Sequence, residues 1–217
     1  MRFTMDTLAE LMFPCQCSCC DKWGNQWLCA ACRDQVTLFP FSESHDLRSF
    51  SGLRALTEYS GAVKEVLHKA KYEDQPWRLV RFTSAVVNRI REAAWMEGTD
   101  VVIPMPGDPW RTWKRGYNPA RLIACEISKV ANLPLLQTRA FTRLGGKSQQ
   151  SLSMTERSNR YAGTVFNVNE GHRNAQMSRK CLLVDDIGTT GATMRAAADA
   201  LVAAGFDVEA LVLSIGV

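Results

Sequence analysis

Two adjacent carboxylates, Asp185 and Asp186, stand just before a run of small and hydroxyl-bearing residues, Gly188-Thr-Thr-Gly-Ala-Thr193. Glycines let a backbone approach an anion closely, and the hydroxyls of Thr189, Thr190 and Thr193 add donors. A carboxylate pair a few residues ahead of such a loop suits the cis hydroxyls of a ribose whose 5′-phosphate lies in the loop. Two other phosphate loops are excluded. No Lys follows the second glycine, as a nucleoside-triphosphate loop requires, and the spacing is not Gly-x-Gly-x-x-Gly. The elements that must position this chemistry are a strand before it and a helix after it. Leu182, Leu183 and Val184 read as a short strand buried on both faces. Met194 to Ala204 reads as an alanine-rich helix stopped by Gly205. Such a helix N-terminus presents unpaired N–H groups to an anion.

A second stretch adds positive charge. Val101 to Ile103 reads as another buried strand, and Pro104-Met105-Pro106 forces a rigid turn at its carboxyl end. Open α/β sheets bind their ligands at such ends. Arg111, Lys114 and Arg115 follow and can neutralise a diphosphate, with Met105 in the turn beside them. Alone, this would be a solvated basic loop. Beside a ribose-phosphate loop it becomes a pyrophosphate site. A helix is expected from Pro119 to Ala131, with Leu122, Ile123, Ile127 and Val130 inward.

Six of the eight cysteines fall between Cys15 and Cys32. Cys17-Ser-Cys-Cys20 and Cys29-Ala-Ala-Cys32 form two Cys-x-x-Cys pairs, each able to give two thiolates to one tetrahedral ion. A closed Cys₄ zinc site serves folding rather than catalysis. Cys15 and Cys19 leave the assignment open, since either can replace a neighbour. Asp21 stands where a glycine would more often make the turn.

The 217 residues suffice for one sizeable α/β domain, expected over 41–217, and a small module over 1–40. An apolar fraction of 46% argues against disorder, and a net charge of +4 permits a nucleic-acid or polyphosphate partner without demanding one. No apolar run is long enough for a membrane span, so no insertion is expected. Arg2, Asp6 and Glu10 interrupt what would be a signal core, which predicts a cytoplasmic protein whose cysteines hold metal or stay as thiols.

Elsewhere, 33–56 carries no usable motif, and Phe39-Pro-Phe41 with the Ser/His/Asp-containing stretch after it reads as a linker to the main domain. Tyr59 to Tyr72 continues into a helix with Val63, Val66, Leu67 and Ala70 inward, and its lysines, Lys64, Lys69 and Lys71, on other faces. A further helix is expected from Pro76 to Met96. Strands are expected at 135–142, 164–168 and 208–215. The stretch from Ala140 to Asn159, with Gly145-Gly146, reads as a long loop able to fold over a substrate and bring Lys147 or Arg157 to developing charge.

Apolar-apolar-apolar-Asp-Asp-x-x-Thr-Thr-Gly-x-Thr, over 182–193, resembles the phosphoribosyl-pyrophosphate motif of type I phosphoribosyltransferases. Together with the cysteine pairs, the Lys71-Tyr72 helix end, the Pro-x-Pro loop with Arg115-Gly-Tyr-Asn118 and the Gln-containing flap, the order resembles the ComF family of competence-associated, phosphoribosyltransferase-like proteins. The resemblance runs from Phe13 to the end. It implies a central, mostly parallel sheet flanked by helices, and structural zinc at Cys17, Cys20, Cys29 and Cys32. It also implies ribose hydroxyls and their Mg²⁺ shell at Asp185 and Asp186. The 5′-phosphate would lie at Thr189, Thr190, Gly191, Ala192 and Thr193, with Arg115 in the basic loop. One departure is Asn118-Pro119, where the family usually has Asn-Gln.

Two functions follow as expectations. One is transfer of phosphoribosyl from phosphoribosyl pyrophosphate to an unidentified nitrogenous acceptor, with Asp185, Asp186, Lys147 and Arg115 at the chemistry. The other is non-catalytic binding of single-stranded DNA among DNA-uptake proteins in natural transformation, with the phosphoribosyl site as a sensor. For the latter, Trp110, Trp113 and Tyr117 interleave with Arg111, Lys114 and Arg115 as stacking and phosphate-tracking groups do.

Overall fold

The computed structural model describes residues 15–24, 26–48, 50–88, 90–136, 140–144, 165–168 and 179–216. Its centre is a five-stranded sheet built from β3 (His45–Leu47), β4 (Phe50–Glu58), β5 (Thr99–Pro104), β8 (Arg179–Gly188) and β9 (Phe206–Ile215). Their order is β3-β4-β9-β8-β5, with β3 antiparallel and every other pairing parallel. The inner strands are apolar on both faces because both are covered. Val102, Leu182, Val184, Leu211 and Leu213 face one side, and Val101, Ile103, Leu183, Ala210 and Val212 the other.

The first face carries α2 (Gly61–Tyr72), α3 (Pro76–Val86) and α5 (Pro119–Ala131). Val63, Val66, Leu67, Leu79, Phe82, Ile123 and Ile127 recur at helical spacing and are buried there. The other face carries α6 (Ala192–Ala203) through Met194, Ala197, Ala198 and Leu201, together with a hairpin of β6 (Phe141–Leu144) and β7 (Val165–Val168). The chain leaving β5 therefore runs toward α5 on one face, and the chain leaving β8 enters α6 on the other. That divergence opens a crevice beyond the carboxyl ends of β5 and β8, the place where such sheets hold ligands.

Two expectations are corrected. The stretch after Phe39-Pro-Phe41 is not a linker, since it contains β3 and runs into β4. Leu53, Ala55, Leu56 and Thr57 are buried because β4 lies between β3 and β9, and burial on both faces erases the alternation that marks a one-sided strand. The helix expected over 76–96 ends at Val86, and two 3₁₀ turns, Ile90–Glu92 and Ala94–Met96, follow. Ile90 and Met96 still reach the core from those turns. Lys69 and Lys71, set off the apolar face as expected, are nonetheless sheltered there: Lys69 is buried and the Lys71 side chain is only 15% exposed.

The basic stretch after Pro106 is likewise a helix, α4 (Pro109–Arg115), rather than a loop. Asp108 starts it by accepting from Arg111 N at 2.9 Å, and Gly116 ends it at φ 81°. Lys147 and Arg157, and most of the loop that carries them, lie outside the described residues.

Candidate functional site

The cysteine cluster is built by a two-residue hairpin, β1 (Cys15–Gln16) with β2 (Trp23–Gly24), and the short α1 (Ala30–Arg33), whose cap is Cys29. Cys17 N donates to Lys22 O and Ser18 N to Trp27 O, which closes the loop around the thiols. Tetrahedral zinc with bonds of about 2.3 Å sets its sulfurs about 3.8 Å apart. Here Cys20 Sγ and Cys29 Sγ are 3.6 Å apart, and the ligand atoms of Cys17, Cys20, Cys29 and Cys32 all lie within 4.8 Å of one another. The four can therefore hold a metal ion such as zinc. Burial pushes the Cys17 thiol up, but backbone N–H donors from Cys20, Cys29 and Cys19 outweigh it and bring it down to about 6. Burial, then hydrogen bonds with Cys20, Cys29 and Cys19, drive the Cys32 thiol upward. Cys19 is buried, and burial raises its thiol too, but it is not one of the four.

The crevice at the sheet's carboxyl edge collects the other residues singled out by sequence. Asp185 and Asp186 lie half-buried near the carboxyl end of β8. Asp186 N donates to Asp185 Oδ1 at 2.8 Å, and Asp186 Oδ2 pairs with Lys71 Nζ at 2.9 Å. Burial first, then the Asp186 charge, pushes the Asp185 carboxyl up to about 7, against the pull of that N–H, Lys71 and Arg143. Gly188 lies against Leu53, Thr189 and Thr190 are exposed, and Ala192 N donates to Thr190 Oγ1 at 3.5 Å. Gly191 caps α6 at φ 77°, where a side chain is strained, and a Cβ there would meet Phe50 Cβ at 2.7 Å. Ala192 and Thr193 open α6, whose first turn carries no acid to repel an anion.

Across the crevice, Met105 N donates to Val184 O at 2.7 Å, so the Pro-flanked turn stays tied to β8. Asn118 is buried. Its Nδ2 donates to Met105 O at 2.8 Å, and its Oδ1 accepts from Ala120 N at 3.1 Å as the cap of α5. Pro119 costs this helix nothing, since its first N–H has no partner within the helix. The Asn118-Pro119 departure is thus absorbed by the cap. Arg115 Nε donates to Lys71 O at 3.0 Å, which joins α4 to the end of α2.

The carboxylates, the 188–193 loop, Met105, Arg111 and Arg115 line one open cleft of about 240 Å³. Lys114 does not line it; it faces an adjoining hollow with Trp110, and Lys71, Arg111 and Arg115 border both. Trp110 and Trp113 are 67% and 74% exposed, with ring centroids 5.2 Å apart. Tyr117 instead packs inward with a buried hydroxyl.

Sequence reasoning gave no site role to Lys71, Arg143, Leu47 or Leu53, all of which line the cleft. Of these only Lys71 stands in a stretch that carries the resemblance, the Lys71-Tyr72 helix end.

Fold and site together define a mixed α/β protein with a mostly parallel sheet, a ligand crevice at its carboxyl edge and a small cysteine module. No protein-family model matches the chain. It is 24% identical over 186 residues to "Competence protein F" of Haemophilus influenzae, across 77% of this chain and 80% of that protein. It is 27% identical over 152 residues to "Competence protein ComFC" of Bacillus subtilis, across 70% of this chain and 58% of that protein. These relatives support the ComF family. A solved structure of a hypothetical protein from Neisseria gonorrhoeae with bound ppGpp overlays on 67% of this chain and 69% of that one at 17% identity, with a TM-score of 0.36.

Proposed function

We propose that the protein binds phosphoribosyl pyrophosphate in the crevice and serves DNA uptake, as a phosphoribosyltransferase acting on a nitrogenous acceptor. The observation that carries the reading is the convergence of Asp185 and Asp186, the Thr189–Thr193 loop and the Arg111–Arg115 face on one cleft. The relatives' names support the competence role.

In this reading the carboxylates accept from the ribose hydroxyls. The loop and the start of α6 hold the 5′-phosphate, and Arg111 and Arg115 face the diphosphate. Transfer breaks the C1′–O bond, and its electron pair leaves with the diphosphate. The acceptor nitrogen's lone pair forms the new C1′–N bond, and the displaced nitrogen proton goes to solvent. The cationic face of α4 stabilises the leaving charge, and Lys147 is assigned the same task. Catalysis is then mostly positioning and electrostatics. The hard oxygens of Asp185 and Asp186 fit Mg²⁺, directly or through water, and that ion supplies further charge neutralisation on the diphosphate when bound.

Calorimetric titration with phosphoribosyl pyrophosphate and Mg²⁺ tests the reading. Micromolar binding by the zinc-loaded protein, lost in folded Asp186→Asn, supports it. Absence of binding by the wild type refutes it.

A second reading is favoured by the exposed Trp110–Trp113 pair beside Arg111 and Lys114. It makes the protein a non-catalytic binder of single-stranded DNA that uses the crevice as a sensor. Stacking contributes about 1–3 kcal/mol per base, so the Trp110→Ala, Trp113→Ala double variant should bind an oligonucleotide at least about tenfold more weakly. Binding should also weaken steeply with salt. Affinity that is flat with salt and unchanged in the double variant refutes this reading.

A further inference from the structure

Lys71 sits in the last turn of α2 with its ammonium on the carboxylate assigned above to the ribose. The pair is 2.9 Å long, and the two side chains are 15% and 18% exposed. An ammonium there competes with a ribose hydroxyl for Asp186 Oδ2. A compound that engages Asp186 through that oxygen weakens its hold on Lys71. The surroundings provide a place for the displaced charge. Lys71 borders both the carboxylate cleft and the hollow lined by Arg111, Lys114 and Arg115.

The backbone and side chain of Lys71 are held differently. Its carbonyl is fixed by Arg115 Nε at 3.0 Å, while its side chain has a flexible four-carbon stem ending in a compact charge with three donors. That combination suits a group that pivots from a fixed root. The neighbouring charges favour a short movement. Asp186 holds the ammonium on one side, and Arg111, Arg115 and Arg143 make the cleft attractive to an anion that would offer it new acceptors.

We propose that Lys71 is a ligand-exchanging cation, held by Asp186 and handed to the diphosphate of the bound compound as the ribose takes its place. The proposal rests on the phosphoribosyl reading of the crevice and gives a role to Lys71, for which the resemblance implied none. It makes selection for a diphosphate an intrinsic property of the site. A ribose 5-phosphate without diphosphate must break the Lys71–Asp186 pair and gives the ammonium nothing in return.

The test titrates the zinc-loaded wild type, Lys71→Met and Lys71→Arg with two probes, phosphoribosyl pyrophosphate with Mg²⁺ and ribose 5-phosphate. A lost hydrogen bond to a charged group corresponds to about a 10- to 100-fold change. Lys71→Met should lose that much affinity for phosphoribosyl pyrophosphate while binding ribose 5-phosphate as well as the wild type or better. Lys71→Arg, which keeps the charge, should recover most of the diphosphate affinity, and this excludes simple damage to the fold. Equal changes for both probes, or none, overturn the exchange. Tighter binding of both probes by Lys71→Met also overturns it, because Lys71 would then only obstruct Asp186. Wild type that binds neither probe refutes the reading of the site itself, a result distinct from the other two.

Discussion

Lys69 Nζ donates to Asp21 Oδ2 at 2.8 Å, joining the turn inside the cysteine cluster to the last turn of α2 across 48 positions of sequence. Asp21 adopts φ 63°, the left-handed conformation for which glycine is the usual choice. Its carboxylate also pairs with Arg78, while Lys69 donates to Cys19 O at 2.8 Å and Arg78 to Cys17 O at 3.1 Å. Asp21 thus ties the module to α2 and α3, and its partner Lys69 lies two residues before the Lys71 that pairs with Asp186.

Asp21→Ala should destabilise the zinc-loaded protein, because Lys69 and Arg78 are buried and would lose their carboxylate. With Asp21 about half exposed, the expected loss is about 1–3 kcal/mol by urea unfolding. The Lys69 and Arg78 hydrogen bonds hold the Asp21 carboxyl below the usual carboxylate range. A depressed folded pKa gives stability that is present above the unfolded value and lost only as pH falls through the folded one. The penalty of Asp21→Ala should therefore be the same at pH 6 and pH 8.

The chain should carry one zinc, measurable by atomic absorption. Cys29→Ala should lose it, and Cys19→Ala should keep it. Stripping the metal with a strong chelator should lower the melting temperature by about 5–15 °C, since a structural zinc site contributes directly to folding.

Asp185 titrates in the opposite sense to Asp21. Burial and the Asp186 charge raise its folded pKa to about 7, above an unfolded value near 3.8. The folded state then binds more protons between those values, so its stability falls as pH rises through that window and levels off above it. Asp185→Asn should remove this slope and be the more stable form at pH 8, by on the order of 1–4 kcal/mol. Thermal unfolding from pH 5 to pH 8 measures it.

Gly191→Ala should cost about 1–3 kcal/mol, from strain at positive φ, and weaken phosphate binding as the loop shifts away from Phe50. Urea unfolding with and without ribose 5-phosphate separates the two effects.

The cysteine spacing, the buried β8, the Thr/Gly loop and α6 were legible in the sequence because each is a contiguous segment whose geometry its own residues dictate. The same holds for α5, expected from Pro119 to Ala131 and found there, although the capping role of Asn118 came only from the structure. The strand β4 was not legible, since a strand covered on both faces has no period to detect. Nor was the break after Val86, which the packing of Ile90 and Met96 into the core accompanies.

From sequence alone come the mixed α/β class, the cysteine cluster and a carboxylate pair followed by a Thr/Gly loop. Tertiary structure alone decided that Lys71 meets Asp186, that Lys69 and Arg78 clasp Asp21, and that Leu47 and Phe50 wall in Gly191. These contacts join segments distant in the chain. They depend on how α2 and the β3–β4 hairpin pack on the sheet, and side-chain burial sets that packing while local sequence does not encode it.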